Sequence, residues 1–97
     1  MIEIVVYRVK GRCPVFRTGD KIIVDGPKIV LEETDALCVH ALPVLLHFIT
    51  ALEHGVEPLK LDLTTEADPD HAYVQCPDPG EPFTCGGTVI FKLRKIR

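Results

Sequence analysis

One stretch of this chain has the apolar spacing of a long amphipathic helix, and it separates two parts that are rich in β-branched residues. Its first apolar stripe advances in steps of four, three, four and three residues, through Leu37, Ala41, Val44, Phe48 and Ala51. A second stripe lies beside it and comprises Cys38, Leu42, Leu45, Ile49 and Leu52. Together the stripes form a wide apolar face, which is typical of a helix packed against a sheet. No other segment has this pattern over a comparable length, so we expect one main helix.

The ends of this predicted helix are marked by residues with known end preferences. Thr34 or Asp35 is suited to the N-terminal cap, because a side-chain oxygen there accepts a hydrogen bond from an otherwise unpaired backbone N–H. Gly55 is suited to the C-terminal end, since glycine readily adopts the left-handed conformation that terminates many helices. Pro43 lies inside the pattern and predicts either a kink or a main helix that begins near Leu42.

The β-rich parts predict five strands. These strands cover residues 2–10, 21–24, 28–31, 71–76 and 88–93. A turn at Asp25-Gly26-Pro27 joins the second and third strands into a hairpin, and the last strand places Val89, Phe91 and Leu93 on one side. The order β-β-β-α-β-β predicts an α+β fold, in which one antiparallel or mixed sheet is covered by one helix. The length of 97 residues fits a single domain over residues 1–97.

The composition predicts a folded protein without a nucleic-acid or membrane partner. Hydrophobic residues make up 46% of the chain and charged residues 26%, which is typical of a globular protein. The net charge of −3 provides no overall attraction for nucleic acid or an anionic membrane. The first six residues lack the features of a signal peptide, and the longest apolar run, residues 41–48, is too short to span a bilayer. We therefore expect a cytoplasmic protein.

Four cysteines are the main candidates for a functional site: Cys13, Cys38, Cys76 and Cys85. Cytoplasmic thiols usually stay reduced and serve in packing, metal binding or catalysis, although a Cys76–Cys85 disulfide is an alternative. No Cys-x-x-Cys pair is present, so the fold would have to assemble a metal site. If the first and fourth strands were parallel neighbours, Cys13 and Cys76 would end them side by side, and Cys38 in the first helical turn would reach both.

This arrangement predicts a zinc or iron–sulfur centre held by Cys13, Cys38 and Cys76, with Cys85 or water as the fourth ligand. The competing interpretation is that these cysteines pack as small hydrophobic residues, as free cysteine commonly does.

The histidines and acidic residues are weaker candidates. His40, His47 and His54 recur every seven residues, about 10.5 Å along a helix, which is too far apart for one metal ion. We expect these three on the solvent side of the helix. His71 begins a strand without an evident partner, and the acidic loop 66–70 is expected to be solvated.

The turn around Thr84 predicts a binding site for an anion. Its hydroxyl and the backbone amides of Cys85, Gly86 and Gly87 are suited to an anion-binding nest. The chain contains no serine, which excludes a serine nucleophile.

Three segments form a recognisable set. They are Gly11-Arg12-Cys13 with Gly19-Asp20, the helix from Cys38 through Pro43 to Gly55, and Cys76-Pro77-Asp78-Pro79 followed by Gly86-Gly87-Thr88-Val89-Ile90-Phe91. This set resembles a family of small uncharacterised prokaryotic proteins with scattered cysteines, common in anaerobes, and it covers nearly the whole chain. The resemblance implies Cys13, Cys38 and Cys76 as family positions. The chain departs from the family pattern at Phe16, where the motif has glycine, and at Cys85, where a small residue is expected.

Three functions remain open from the sequence. The first is a thiol protein that binds a metal or an iron–sulfur centre. The second is a non-catalytic interaction module, in which a homodimer forms through the sheet edge or through the helix face where Leu46 interrupts the histidines. The third is a redox or small-ligand enzyme that uses one activated thiolate. The resemblance brings no established activity, so it does not decide whether the protein is an enzyme.

Overall fold

Five strands form one antiparallel sheet in the computed structural model, which describes residues 1–97. The strands are β1 (Ile2–Lys10), β2 (Lys21–Asp25), β3 (Lys28–Ile29), β4 (Ala72–Gln75) and β5 (Thr88–Lys95). Their order across the sheet is β3-β2-β1-β5-β4, and every neighbouring pair is antiparallel. One α-helix, α1 (Leu42–Glu53), packs on the sheet, and two 3-10 turns cover Leu31–Glu33 and Pro58–Leu61. The predicted α+β fold with one main helix is confirmed.

The centre of the sheet is the pair formed by β1 and β5. The two strands pair from Ile2 opposite Lys95 to Lys10 opposite Thr88, with a register shift after Val6. Alternate residues of both strands face the helix and are fully buried; they are Ile2, Ile4, Val6, Val89, Phe91 and Leu93. The predicted common side of the last strand is thus confirmed, and these side chains form most of the hydrophobic core.

Helix α1 begins at Leu42, so the shorter of the two predicted helices is confirmed. Pro43 lies in the first turn, where its missing N–H removes no intrahelical hydrogen bond. The helix buries its Leu45, Ile49 and Leu52 side chains, which all belong to the second predicted stripe. As predicted, Gly55 ends the helix with a φ of 86°. None of the helical segments is long and apolar enough to cross a membrane.

Residues 34–41 are not helical, because Thr34 and Asp35 bond to strand β2. The Thr34 hydroxyl oxygen accepts the N–H of Ile23 at 3.2 Å, and the Asp35 carboxylate accepts the N–H of Lys21 at 2.8 Å. The Asp35 N–H also donates to the Lys21 carbonyl at 2.8 Å. These bonds hold both residues alongside β2, so the predicted N-terminal cap at Thr34 or Asp35 is wrong. Cys38 consequently lies in the loop before the helix rather than in its first turn.

Two strands end at the same end of the sheet without touching. Both β1 and β4 are antiparallel to β5, so they run in the same direction on either side of it. The condition that they be parallel neighbours is not met. Their C-terminal ends nevertheless lie one strand apart, and the loops that follow them can meet.

Candidate functional site: a pocket lined by thiols

Three loops enclose an apolar cavity of about 400 Å³ at this end of the sheet. One loop follows β1, another precedes α1, and the third follows β4. Each loop supplies one cysteine to the cavity wall: Cys13, Cys38 and Cys76 respectively. We call this cavity the thiol pocket. Phe16, Ala41 and Val89, all buried, line it together with the three cysteines.

Cys76 is the most buried of the three thiols, at 7% exposed. Its sulfur accepts the backbone N–H of Val89 at 3.2 Å and lies 3.9 Å from the Gly87 carbonyl oxygen, to which it donates a weak hydrogen bond. Its own N–H continues the pairing with β5 by donating to the Val89 carbonyl at 2.9 Å. The position of this sulfur is therefore fixed by the backbone of β5.

Cys13 and Cys38 are half-buried. The Cys13 sulfur accepts the N–H of Phe16 at 3.3 Å, a bond that closes a tight turn through Pro14 and Val15. Cys38 lies in the loop before α1, and its carbonyl accepts the first N–H of the helix, that of Leu42, at 2.9 Å. The structure thus brings together the three cysteines that the resemblance implies.

Cys85 lies outside the thiol pocket. It is exposed and lines the adjoining groove next to Arg12 and Gly86, and Cys13 lines both this groove and the thiol pocket. All four cysteines are free thiols, so the alternative Cys76–Cys85 disulfide is not formed in the structure. Cys85 as a fourth ligand stays a prediction.

The thiol pocket has no preformed metal centre. No three side chains of the histidine, cysteine, aspartate and glutamate types lie close enough together in the structure to hold a metal ion. The three sulfurs share a cavity, and metal binding would require their side chains to rotate towards a common point.

Asp78 and His40 line the same pocket, and the sequence did not single out either residue for it. The Asp78 carboxylate accepts hydrogen bonds from the Thr84 hydroxyl and from the Gly80 N–H, the latter at 2.9 Å. These two bonds, with a smaller contribution from the charge of His40, lower the pKa of Asp78. The carboxylate therefore supplies a fixed negative charge at the pocket wall.

Asp78 also explains the turn around Thr84. The Thr84 hydroxyl, which was predicted to help bind an external anion, donates instead to the carboxylate of Asp78. The Gly86 N–H donates to the Thr84 oxygen at 3.3 Å. The one signal in the sequence that Asp78 accepts hydrogen bonds in this turn is Asp78-Pro79-Gly80, because an aspartate commonly accepts the N–H two residues later in a turn.

A second polar cluster lies in the loop before β4, and we call it the Asp68 cluster. One Asp68 carboxylate oxygen accepts the Tyr73 hydroxyl at 2.6 Å, and the other lies 2.8 Å from Nδ1 of His71. His71, for which the sequence showed no evident partner, thus has one in Asp68. The bond to Tyr73 and then the bond to His71 lower the pKa of Asp68, and the bond to Asp68 is the main reason that the pKa of Tyr73 rises to about 12.

The fold and the pocket define a small α+β protein with three thiols around one apolar cavity. Comparisons of the chain with protein-family models, with curated proteins and with solved structures found no match. The resemblance to the cysteine-bearing prokaryotic family stays a prediction, and the function is argued from the pocket itself.

Proposed function

We propose that the protein binds a thiophilic metal ion, such as zinc, in the thiol pocket through Cys13, Cys38 and Cys76. The observation that carries this proposal is that three loops, far apart in sequence, each supply one cysteine to the same cavity. Packing alone does not require three of the four cysteines of the chain to line the same cavity. Zinc commonly takes three protein ligands and leaves a fourth position for water or another group.

Hydrogen bonds to the sulfurs support the proposal. Backbone N–H groups contact the sulfurs of Cys13 and Cys76 at 3.3 Å and 3.2 Å. In metal–thiolate and iron–sulfur sites, such bonds orient the ligands and stabilise negative charge on sulfur. The buried side chains of Phe16, Ala41 and Val89 give the pocket an apolar wall, and an apolar surrounding strengthens the attraction between a cation and a thiolate.

The fourth ligand position is best served by His40 or water. His40 lines the thiol pocket itself, whereas Cys85 lines only the adjoining groove, which has Cys13 in common with the pocket. Imidazole nitrogen is a common partner of thiolates at zinc. We include a cytoplasmic location in the proposal, because free cysteines persist in a reducing compartment.

Metal content of protein purified without oxygen and without an affinity tag tests this function. We expect near-stoichiometric zinc in the wild type and in Cys85→Ala, and loss of zinc in Cys38→Ala. Cys38→Ala is the primary variant, because Cys38 lies half-buried in a loop and contributes less to the core than Cys76. Equal metal content in Cys38→Ala and Cys85→Ala would reject the proposed ligand set. An iron–sulfur absorption band would assign the pocket to a cluster instead of a single ion.

An interaction module is the second candidate function, and the exposed apolar residues favour it. Leu46 is 50% exposed on α1, and Val39 in the preceding loop is 80% exposed. In this case the cysteines act as core residues and the helix face joins two copies. Sedimentation analysis would show a dimer that Leu46→Glu dissociates. A wild-type protein that stays monomeric at high concentration would remove this candidate.

A further inference from the structure

A groove on the outside of the thiol pocket collects basic side chains that have no acidic partner. Two adjoining cavities share Gly11, Arg12, Cys85 and Gly86, and they continue into one another along the end of β1. Lys10 lines the first cavity, Arg17 lines the second, and Arg12 lines both. We call this surface the basic groove.

The three basic residues are exposed and unpaired. The ion pairs of the structure involve other cations, namely the N-terminal amine, Lys21, His71 and Arg94. The nearby Asp20 carboxylate is bonded to the backbone N–H of Arg17 at 2.8 Å and not to its guanidinium group. Glu81 is the one acidic residue that lines the groove. On a chain with a net charge of −3, this is a local concentration of positive charge.

The backbone beneath the groove is closely packed around Gly11, which lines the groove, and around the neighbouring Gly87. A Cβ atom on Gly87 would lie 2.6 Å from the Lys10 carbonyl oxygen and 2.8 Å from the Arg12 nitrogen, so the two backbone segments pack directly against each other. A Cβ atom on Gly11, whose φ is 79°, would lie 3.3 Å from the Gly86 carbonyl oxygen. This packing holds the backbone of Lys10 and Arg12 in place, so ligand binding there has to order their side chains but not this backbone.

We propose that the basic groove binds a small anion that carries two or more linked phosphate groups. Three neighbouring cations repel one another, and a multiply charged anion between them removes that repulsion. Arginine suits this ligand, because its planar guanidinium group donates paired hydrogen bonds to phosphate oxygens. A small ligand fits better than nucleic acid, since the net negative charge of the chain repels a long polyanion.

Inorganic pyrophosphate is the probe for the test, with titration calorimetry at about 0.01 M ionic strength, where screening is weak. We expect measurable binding by the wild type and a loss of affinity of about tenfold or more in Arg12→Ala, as for a lost charged hydrogen bond. Lys10→Ala and Arg17→Ala should lose less. Lys60→Ala is the matched control, because Lys60 is exposed and lies outside the groove, and its affinity should equal that of the wild type.

Several results would overturn the proposal. Absence of binding by the wild type, or an equal loss in Arg12→Ala and Lys60→Ala, would show that the groove is only a solvated surface. Orthophosphate that binds as tightly as pyrophosphate would reject the requirement for linked phosphates. A short single-stranded oligonucleotide that binds more tightly than pyrophosphate would assign the groove to nucleic acid. Cys13 lines both the basic groove and the thiol pocket, whereas Cys38 lines the pocket and not the groove. Cys38→Ala should therefore lose the metal and still bind pyrophosphate, so the failure of one proposal is distinguishable from the failure of the other.

Discussion

The thiol pocket and the Asp68 cluster lie beyond opposite ends of β4, and they differ in how completely their polar groups are paired. In the Asp68 cluster, both carboxylate oxygens contact a partner, the Tyr73 hydroxyl or the His71 ring. In the thiol pocket, three sulfurs face an apolar cavity, and backbone N–H groups contact two of them. A cluster whose groups satisfy one another has little capacity for a ligand, whereas a cavity lined by thiols retains it. This contrast is the basis of the proposal that the loops after β1 and β4 bind a ligand, whereas the loop before β4 contributes hydrogen bonds within the fold.

Two aromatic pairs, one in each region, allow a comparison in which we expect the largest change in the free energy of unfolding. Phe16 meets Phe91 edge to face at 5.3 Å in the wall of the pocket, and Tyr7 meets Tyr73 in the same way at 5.7 Å beside the Asp68 cluster. Phe16 is 3% exposed and Tyr7 is 47% exposed. We expect Phe16→Ala to lower the free energy of unfolding by about 3–5 kcal/mol through loss of burial and cavity formation. Tyr7→Ala should cost about 1 kcal/mol, the value of an exposed aromatic pair.

Urea unfolding of the two variants gives both free energies. Similar losses in Phe16→Ala and Tyr7→Ala would contradict the view that the pocket wall belongs to the core. A large loss of unfolding free energy in Tyr7→Ala alone would show that the main stabilising contact lies on the outer face of the sheet.

A smaller effect is expected from Gly87→Ala, which acts on the backbone contact beside the pocket. The added methyl group would meet backbone atoms of Lys10 and Arg12, which cannot rotate away. We expect a loss of about 1–3 kcal/mol, typical of overpacking. Hydrogen exchange should speed up at the backbone amides of Cys76 and Val89, whereas the Tyr73 amide, bonded to the Leu63 carbonyl at 2.7 Å, serves as the internal control. Equal acceleration at all three amides would show that the two regions unfold as one unit.

The smallest effect concerns pH and is specific to the Asp68 cluster. The pKa of Tyr73 rises from 10.0 to about 12 in the folded protein, mainly because its hydroxyl donates to Asp68. The folded state therefore keeps a proton that the unfolded state releases, and the resulting stability is complete below pH 10 and lost as the pH rises through 12. Tyr73→Phe should lack this part of the alkaline decline, and Tyr7→Phe should retain it. Urea midpoints measured on both sides of pH 10 make the comparison. The same decline in Tyr73→Phe and the wild type would show that the bond to Asp68 contributes no such stability.

Features set by local residue patterns were predictable from the sequence, and features set by distant partners were not. Alternation of apolar residues placed β1 and β5 with little error, and Pro43 with Gly55 marked the two ends of the helix. The N-terminal cap at Thr34 or Asp35 failed because both side chains bond to β2 instead. Both side chains do accept hydrogen bonds from backbone N–H groups, as expected, but these N–H groups belong to strand β2 rather than to the start of the helix.

The candidate site was predictable in part, for a related reason. Cysteines that follow strands with a common direction reach the same end of a sheet, even when another strand lies between them. Cys13 and Cys76 line the same pocket because they follow β1 and β4, which run in the same direction. Cys85 follows Thr84, whose hydroxyl donates to the carboxylate of Asp78, and it lies in the adjoining groove rather than in the pocket. No spacing in the sequence reveals that contact.

The pairing of β1 with β5 has a consequence for the growing polypeptide. During synthesis β1 is made before β2 and α1, and β5, its partner at the centre of the sheet, is made last of the five strands. Until then, β1 can pair with β2 and pack against α1, but its other edge has no partner and the core lacks Val89, Phe91 and Leu93. Contacts between residues so distant in sequence also slow folding, because a long loop must close first. A nascent chain in this state exposes an unpaired strand edge, the kind of surface through which incomplete folds aggregate.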